Sequence, residues 1–190
     1  MNILQNSDRL ENGGAENYIT SLALQLKERG HEVYIASWAF SYNKISILKQ
    51  NKINMVDKNI IRLSDLITAE NIEVIHAHPL KSIYETYKLK RYQNFKFGIT
   101  VHGMYNFYLD KSPPGKTIAD SADFVIAVDN SICDYLLQNS SVTADKLHII
   151  PNGVDLASLH PEQIKSNQLT FHNSPKLITY ISRCGDNKEK

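Results

Sequence analysis

The sequence contains little cysteine, no long apolar run and no marked excess of charge of either sign. Two cysteines in 190 residues, Cys133 and Cys184, are too few for a disulfide framework and favour a reducing compartment. The net charge is +1, whereas a dedicated nucleic-acid-binding domain carries a strong basic excess, so we expect no nucleic-acid partner. No apolar stretch approaches the roughly 20 residues of a membrane span, and the first residues show no targeting pattern. We therefore expect a cytoplasmic protein.

Short apolar runs alternate with stretches of helical periodicity along most of the chain. The alternation is typical of an α/β fold with a doubly wound, Rossmann-like parallel sheet. The sequence predicts strands at residues 1–5, 32–37, 72–76, 96–101, 124–128, 147–150 and 177–182, with a weaker one at 53–56. It predicts helices at residues 14–29, 59–71, 79–91 and 132–138, with a further candidate at 45–50.

Three local predictions concern the helices and loops between these strands. Ile60, Leu63 and Ile67 fall at helical spacing, so the helix at 59–71 should turn all three inward. Residues 102–116 should be a long loop, because they contain two adjacent prolines and a glycine. Ser131 should cap the helix at 132–138.

The residues just after each strand are the candidates for chemistry, because open parallel sheets bind ligands beyond the carboxyl ends of their strands. Gly13 and Gly14 open a helix, where free N–H groups suit a phosphate. The other interpretation is a plain turn, in which Glu16 interacts favourably with the helix dipole.

Histidines mark the ends of two of the predicted strands. His76 and His78 are two residues apart and therefore point the same way. His102 ends the next strand, and Gly103 after it would let a ligand approach the backbone. Three such histidines predict either a zinc site or polar and packing roles, and no carboxylate or cysteine completes a metal-ligand set at a telling spacing.

Other stretches invite a functional interpretation and have a structural alternative. Residues 112–117 imitate the end of a phosphate-binding loop, but their prolines lack N–H groups, so we do not expect a phosphate there. Residues 81–97 concentrate basic and aromatic side chains, which suits peripheral contact with an anionic inner membrane surface or, alternatively, a solvated helix face. Cys133 is expected in the core.

Several segments, taken together, resemble the group 1 (family 4) glycosyltransferases of the GT-B fold. They follow one another in the family's order over residues 1–160, and the last is the most specific. The segments are Gly13-Gly14-Ala15-Glu16, Arg29-Gly30-His31-Glu32-Val33, Val74-Ile75-His76-Ala77-His78, Thr100-Val101-His102-Gly103, Ala122-Asp123 and Lys146-Leu147-His148-Ile149-Ile150-Pro151-Asn152-Gly153-Val154-Asp155.

The resemblance implies two Rossmann-like domains that face each other across a cleft, the first binding mainly the acceptor and the second a nucleotide-sugar donor. It implies transfer with retention and without a metal or other cofactor. It places Gly14 at the donor phosphates and His102, as the catalytic residue, beside the transferred sugar. The residues expected to bind donor or acceptor are Gly13, Gly14, His76, His78, Gly103, Asn152, Arg183 and Lys188.

These observations predict a domain organisation and a function. Residues 1–160 should form the acceptor-side domain, 161–175 a linker, and 176–190 the first strand of a truncated donor-binding domain. The expected protein is the N-terminal half of a retaining glycosyltransferase, inactive by itself, with a sugar, a lipid-linked group or a polysaccharide as acceptor. The alternatives are a sugar-nucleotide epimerase of the same fold and a non-catalytic remnant that binds carbohydrate or a partner.

Overall fold

A parallel sheet of seven strands forms the centre of the computed structural model, which describes residues 1–78, 81–105 and 108–153. The strands are β1 (Asn2–Asn6), β2 (Glu32–Ser37), β3 (Asn54–Asp57), β4 (Val74–Ala77), β5 (Lys96–Val101), β6 (Phe124–Ala127) and β7 (Leu147–Ile149). The helices are α1 (Gly14–Glu28), α2 (Tyr42–Gln50), α3 (Leu63–Ala69), α4 (Lys81–Lys90), α5 (Pro113–Ser121) and α6 (Asn130–Asn139). A single 3₁₀ turn, Ala144–Lys146, precedes β7.

The strand order is β3-β2-β1-β4-β5-β6-β7, and every neighbouring pair is parallel. The order therefore reverses between β1 and β4, and a doubly wound sheet binds ligands at such a reversal. Ile19 of α1 and Leu48 of α2 belong to one buried cluster. Ile67 of α3, Ile83 of α4 and Leu136 of α6 belong to the other. The predicted Rossmann-like doubly wound fold is confirmed.

Strand β4 shows how the sheet separates core side chains from site side chains. Successive side chains of a strand point to opposite faces. Ile75 and Ala77 join the larger cluster with α3 and α4, whereas His76 and its neighbour His78 turn to the other face and lie beside each other. Two buried histidines next to an apolar core are therefore a consequence of the strand's alternation.

The helix predicted at residues 59–71 is shorter than expected. It begins at Leu63, and Ile60 is 79% exposed, so the prediction that Ile60 faces inward was wrong. The backbone carbonyl of Asp57 accepts hydrogen bonds from Ile60 and Ile61 at 3.0 Å each. Its carboxylate accepts another from the N–H of Asn59 at 2.8 Å. These bonds hold residues 57–61 in a turn after β3, before α3 begins.

Two helix starts also differ from the sequence predictions. The predicted loop at 102–116 ends early, because Pro113 and Pro114 occupy the first turn of α5, where proline costs no hydrogen bond. The side chain of Ser112 caps this helix by accepting the N–H of Gly115 at 3.2 Å. In α6 the cap is Asp129, whose carboxylate accepts the N–H of Ile132 at 2.8 Å; the prediction of Ser131 was wrong.

The predictions for residues 161–175 and 176–190, with Arg183 and Lys188, lie outside the described residues. Within the described ranges, no helix is long and apolar enough to cross a lipid bilayer.

Candidate functional site

The carboxyl ends of β1, β4 and β5 bring a cluster of imidazole rings together. His78 follows β4 and His102 follows β5, and their ring centroids lie 5.7 Å apart. Nδ1 of His78 lies 3.4 Å from Nε2 of His102. The structure therefore brings together histidines that are 24 residues apart in the sequence.

Gln5, near the carboxyl end of β1, holds the His78 ring from the other side. Its Oε1 lies 2.6 Å from Nε2 of His78, and Gln5 is completely buried. A carbonyl oxygen only accepts, so this contact places the ring proton of His78 on Nε2. Nδ1 of His78 is then an acceptor for Nε2–H of His102. The sequence analysis missed Gln5, although a polar pair, Gln5-Asn6, at the end of an apolar strand was a usable signal.

His76 supports this cluster from below. It is 5% exposed, and its Nε2 lies 2.6 Å from the hydroxyl oxygen of Thr100. Its ring centroid is 4.4 Å from that of His78 and 5.9 Å from that of Phe124. Because His76 is enclosed on all these sides, its geometry suits holding the neighbouring ring better than touching a ligand.

Tyr18 of α1 connects the helix to the histidines. Its ring centroid lies 5.0 Å from His102 and 5.9 Å from His78, edge to face in both cases. Its hydroxyl shares a hydrogen bond with the side chain of Thr100. The sequence analysis missed Tyr18, because a tyrosine one turn into an amphipathic helix gives no sign of what it will contact.

Burial keeps the imidazoles of the cluster neutral. It lowers the pKa of His102 to about 4. Burial, helped by the nearby His102, lowers the pKa of His76 to about 3. Burial also holds the pKa of His78 well below its ordinary range. At neutral pH the cluster therefore offers one N–H donor and one acceptor nitrogen per ring rather than positive charge.

The first part of the loop between β1 and α1 is fixed by contacts of Asp8 and Leu10. Leu10 is fully buried, and its backbone bonds to Ala39 and Ser41 of the loop after β2 at 2.8 and 3.0 Å. The Asp8 carboxylate accepts the N–H groups of Lys81 and Ser82 at 3.0 and 2.9 Å, which caps the start of α4. Burial raises the pKa of Asp8, and these backbone bonds oppose the rise.

The glycine pair stands at the exit of this loop. Gly13 caps α1 with an extended backbone, φ −166° and ψ 172°. Gly14 does not have a positive φ, and a Cβ added to it would meet no atom within 4 Å. The backbone therefore does not require glycine at this position, but the open space leaves the first N–H groups of α1 accessible. Tyr18 lies four residues further on, about 6 Å along the helix axis.

The surroundings of Gly103 differ from the sequence prediction that a ligand could approach the backbone there. A Cβ on Gly103 would lie 3.1 and 3.3 Å from the ring of Tyr105. The Tyr105 hydroxyl oxygen accepts the N–H of His102 at 3.1 Å. In this structure the space beside Gly103 is therefore taken by an aromatic ring of the same loop.

Asn152 is exposed after β7, two strands away from β5.

The part of the chain that the structure describes contains no set of zinc ligands. No three histidine, cysteine, aspartate or glutamate side chains there are placed to share a metal ion. Nε2 of His76 and Nε2 of His78 are engaged by Thr100 and Gln5.

The basic and aromatic stretch at 81–97 does not form one surface. Phe95 and Phe97 are buried in the larger core cluster. Lys90 and Lys96 both pair with Asp123, at 3.1 and 3.0 Å. Tyr92 is 80% exposed. Cys133 is partly buried against the same core, as expected.

Several solved structures are similar to this chain in fold. The chain is similar to a glycosyltransferase from Rickettsia africae ESF-5, with a TM-score of 0.66 and 25% identity over 85% of this chain and 46% of that one. It is similar to Anabaena Alr3699/HepE in complex with UDP-glucose, with a TM-score of 0.62 and 19% identity over 83% and 45% of the two chains. A putative UDP-N-acetylglucosamine 2-epimerase from Listeria monocytogenes has a TM-score of 0.53 and 15% identity over 78% and 44%.

The chain therefore spans less than half the length of each of these three proteins. At 19% and 15% identity, the second and third likenesses show the fold alone. None of the curated proteins matches the chain significantly. The model of Glycosyltransferase Family 4 matches residues 12–158. That match includes the glycine pair, the histidine cluster and the end of β7, and it shows that the chain belongs to Glycosyltransferase Family 4.

Proposed function

We propose that the chain is the acceptor-side half of a retaining glycosyltransferase, which transfers a sugar from a nucleotide-sugar donor without a metal or other cofactor. One observation carries the proposal. The neutral ring of His102 lies beside His78, which follows β4 at the reversal of the strand order, and next to the first turns of α1, in a chain of Glycosyltransferase Family 4. This arrangement offers hydrogen bonds to a sugar and free N–H groups to a phosphate side by side.

His102 is the catalytic residue of this proposal. Its Nε2–H is directed to Nδ1 of His78, which leaves its own Nδ1 as an acceptor for a sugar hydroxyl. His78 and His76 are proposed as positioning residues behind it. Gln5 sets the proton of His78, and Thr100 holds His76. A ring held on two sides loses little freedom when the substrate binds, and orientation of this kind lowers the barrier to transfer.

The start of α1 is proposed to receive the donor phosphates. The first N–H groups of a helix lack intrahelical partners, and the helix dipole adds partial positive charge at this end. Gly13 supplies no side chain that caps them, and the space at Gly14 is open. Arg183 and Lys188 are proposed to hold the donor diphosphate as well, where cations would stabilise the charge of the leaving nucleotide. The solved complex of Anabaena HepE with UDP-glucose supports a nucleotide sugar as donor.

The cytoplasm is the location we propose, consistent with a low cysteine content. Membrane contact through residues 81–97 would rest on exposed side chains such as Lys81, Lys88, Arg91 and Tyr92, since Phe95 and Phe97 are buried.

The test is turnover by the full-length gene product with a panel of nucleotide sugars and candidate acceptors. We expect a glycoside that keeps the anomeric configuration of the donor, read by NMR, and unchanged activity in the presence of EDTA. Conversion of the nucleotide sugar to an epimer without acceptor would support the epimerase alternative. The absence of any turnover would support a binding remnant. The 190-residue chain alone should not sustain transfer.

A further inference from the structure

A pocket apart from the histidine cluster lies between the start of α3 and the second half of α4. Its volume is about 310 Å³. Its polar lining consists of Lys58, Arg62, Ser64, Glu85 and Lys88, and Trp38 stands at one side. The sequence analysis placed Lys88 in the candidate membrane-contact stretch at 81–97, but it did not predict this pocket.

Lys58 forms the floor of this pocket and is fully engaged. Its side chain is 2% exposed, and its Nζ lies 2.8 Å from Oε2 of Glu85. Nζ also lies 3.1 Å from Oδ1 of Asn6 and 5.1 Å from the ring centroid of Trp38. The ion pair neutralises one cation and one carboxylate, and the ammonium holds the indole ring in place.

The remaining charges of the pocket are positive. Arg62 and Lys88 are both exposed, and neither takes part in an ion pair within the described ranges. With Lys58 and Glu85 cancelling, the lining carries two unbalanced cations. Nζ of Lys88 lies 4.9 Å from the ring centroid of Tyr84, which carries no charge, so an anion would give both cations a charged partner.

The rest of the lining suits a ring with apolar faces. Trp38 is 43% exposed, and Ile61, Leu63 and Leu89 supply aliphatic surface. A pyranose presents C–H groups on its faces and hydroxyls at its edge, so it can lie on an aromatic ring while polar groups bind its rim. Cations beside such a surface favour a sugar that carries an acidic group.

One residue of β1 connects this pocket to the histidine cluster. The Asn6 side chain accepts a hydrogen bond from Lys58, and its backbone carbonyl accepts the N–H of His78 at 2.9 Å. A group bound in the pocket and a group bound at His102 would therefore both lie near the carboxyl end of β1.

We infer that the pocket of Trp38, Arg62 and Lys88 binds a phosphorylated sugar of the acceptor. The inference rests on the proposed function, because it names the class of acceptor for that reaction. Either a free sugar phosphate or the phosphosugar head of a lipid-linked acceptor would supply the same chemistry.

The test uses the fluorescence of Trp38, which is the only tryptophan of the chain. The purified 190-residue chain is titrated with glucose 1-phosphate, with methyl glucoside and with inorganic phosphate. We expect glucose 1-phosphate to change the fluorescence and to bind at least about tenfold more tightly than either of the others, since one charge-assisted contact accounts for about that factor. Arg62→Gln and Lys88→Gln should each raise its Kd about tenfold. Lys49→Gln, an exposed site on α2, is the matched control and should not change it.

A measurement with lipid vesicles distinguishes a free sugar phosphate from a lipid-linked one. If glucose 1-phosphate leaves the fluorescence unchanged, but phosphatidylcholine vesicles containing polyprenyl-phosphoglucose change it, the acceptor is lipid-linked and the inference stands. Equal binding to vesicles containing phosphatidylglycerol would overturn it, because any anion would then suffice. Equal affinity for methyl glucoside, Kd values unaffected by both variants, or no response to any probe would also overturn it.

These measurements need neither donor nor turnover, so they are independent of the test of function. Transfer by the full-length protein with an acceptor KM unaffected by Arg62→Gln and Lys88→Gln would overturn the pocket and leave the function standing. Intact binding without transfer would do the reverse.

Discussion

The ring of Tyr18 lies 5.0 Å from the ring of His102, with the two planes at 71°, so the start of α1 touches the end of β5 directly. The Tyr18 hydroxyl also bonds to Thr100, which holds His76. The proposed phosphate contact at Gly14 and the proposed sugar contact at His102 are thereby set at a fixed separation.

Tyr18 is therefore expected to be a positioning residue. Tyr18→Ala removes the ring against which His102 packs, and we expect kcat of the full-length enzyme to fall about tenfold or more. Tyr18→Phe keeps the ring and loses only the hydroxyl, so it should retain most of the activity. Equal losses in the two variants would contradict a role for the ring.

Substitutions at Gly14 and Gly30 should have different effects, because glycine serves a different purpose at each position. Gly14 lacks a positive φ and has open space around it, whereas Gly30 has φ +83° after α1. Gly14→Val should leave the free energy of unfolding nearly unchanged and abolish most turnover, because its side chain would obstruct the phosphate. Gly30→Ala should lower stability by about 1 kcal/mol and leave kcat unchanged. Normal turnover in Gly14→Val would show that the glycine pair is only a turn.

The buried histidines predict a dependence of stability on pH. Burial lowers the pKa of His76 to about 3 and that of His102 to about 4, from an ordinary value of 6.5. Between pH 4 and 6.5 the unfolded chain binds protons that the folded chain does not. The free energy of unfolding should therefore fall as pH drops through this window, by up to about 1.4 kcal/mol per pH unit for each histidine.

Urea denaturation at pH 7, 6 and 5 would measure this slope. His76→Gln removes one of the titrating groups while keeping a polar end for Thr100, so its slope should be shallower. His148→Gln, at an exposed position of β7, should have the slope of the unaltered chain. Equal slopes in all three proteins would contradict the burial of a neutral His76.

Gly98 and Phe124 should be coupled in stability. They are partners in neighbouring strands, and a Cβ on Gly98 would lie 2.1, 2.3 and 2.8 Å from three atoms of the Phe124 ring. Gly98→Ala should cost about 1–3 kcal/mol of stability through overpacking. In the double variant Gly98→Ala, Phe124→Leu the total loss of stability should be smaller than the sum of the losses in the two single variants. Strict additivity would show that the ring is not what excludes a side chain at Gly98.

The strands could be predicted closely from the sequence because buried parallel strands are apolar runs between polar segments. Strands β2 and β5 have the predicted bounds. Helix α5 was missed because two prolines and a glycine are typical of loops, although prolines also fit a first helical turn. The helix predicted at 59–71 was longer than α3 because Ile60 matched the helical period. The period does not show that the carbonyl of Asp57 accepts the N–H of Ile60 and so forms a turn.

The candidate site could be predicted only in part. Histidines at strand ends were found, because the topology of parallel sheets brings strand ends together. Gln5, Tyr18 and Lys58 were missed, because their roles depend on contacts with residues 27 to 84 positions away in the sequence. Phe95 and Phe97 looked like part of a surface because composition cannot distinguish a buried aromatic residue from an exposed one.

The central claim is that His102 contacts the sugar during transfer, and the most direct test is kcat of the full-length enzyme with His102→Ala. The claim predicts a loss of about tenfold to a thousandfold, the scale of removing one oriented polar group. The melting temperature should change little. His31→Gln, at the amino end of β2 and therefore at the opposite end of the strands from the histidine cluster, should leave kcat unchanged. An unchanged kcat in His102→Ala would contradict the claim, as would one equivalent of zinc in the purified protein that is lost on mutating His76, His78 or His102.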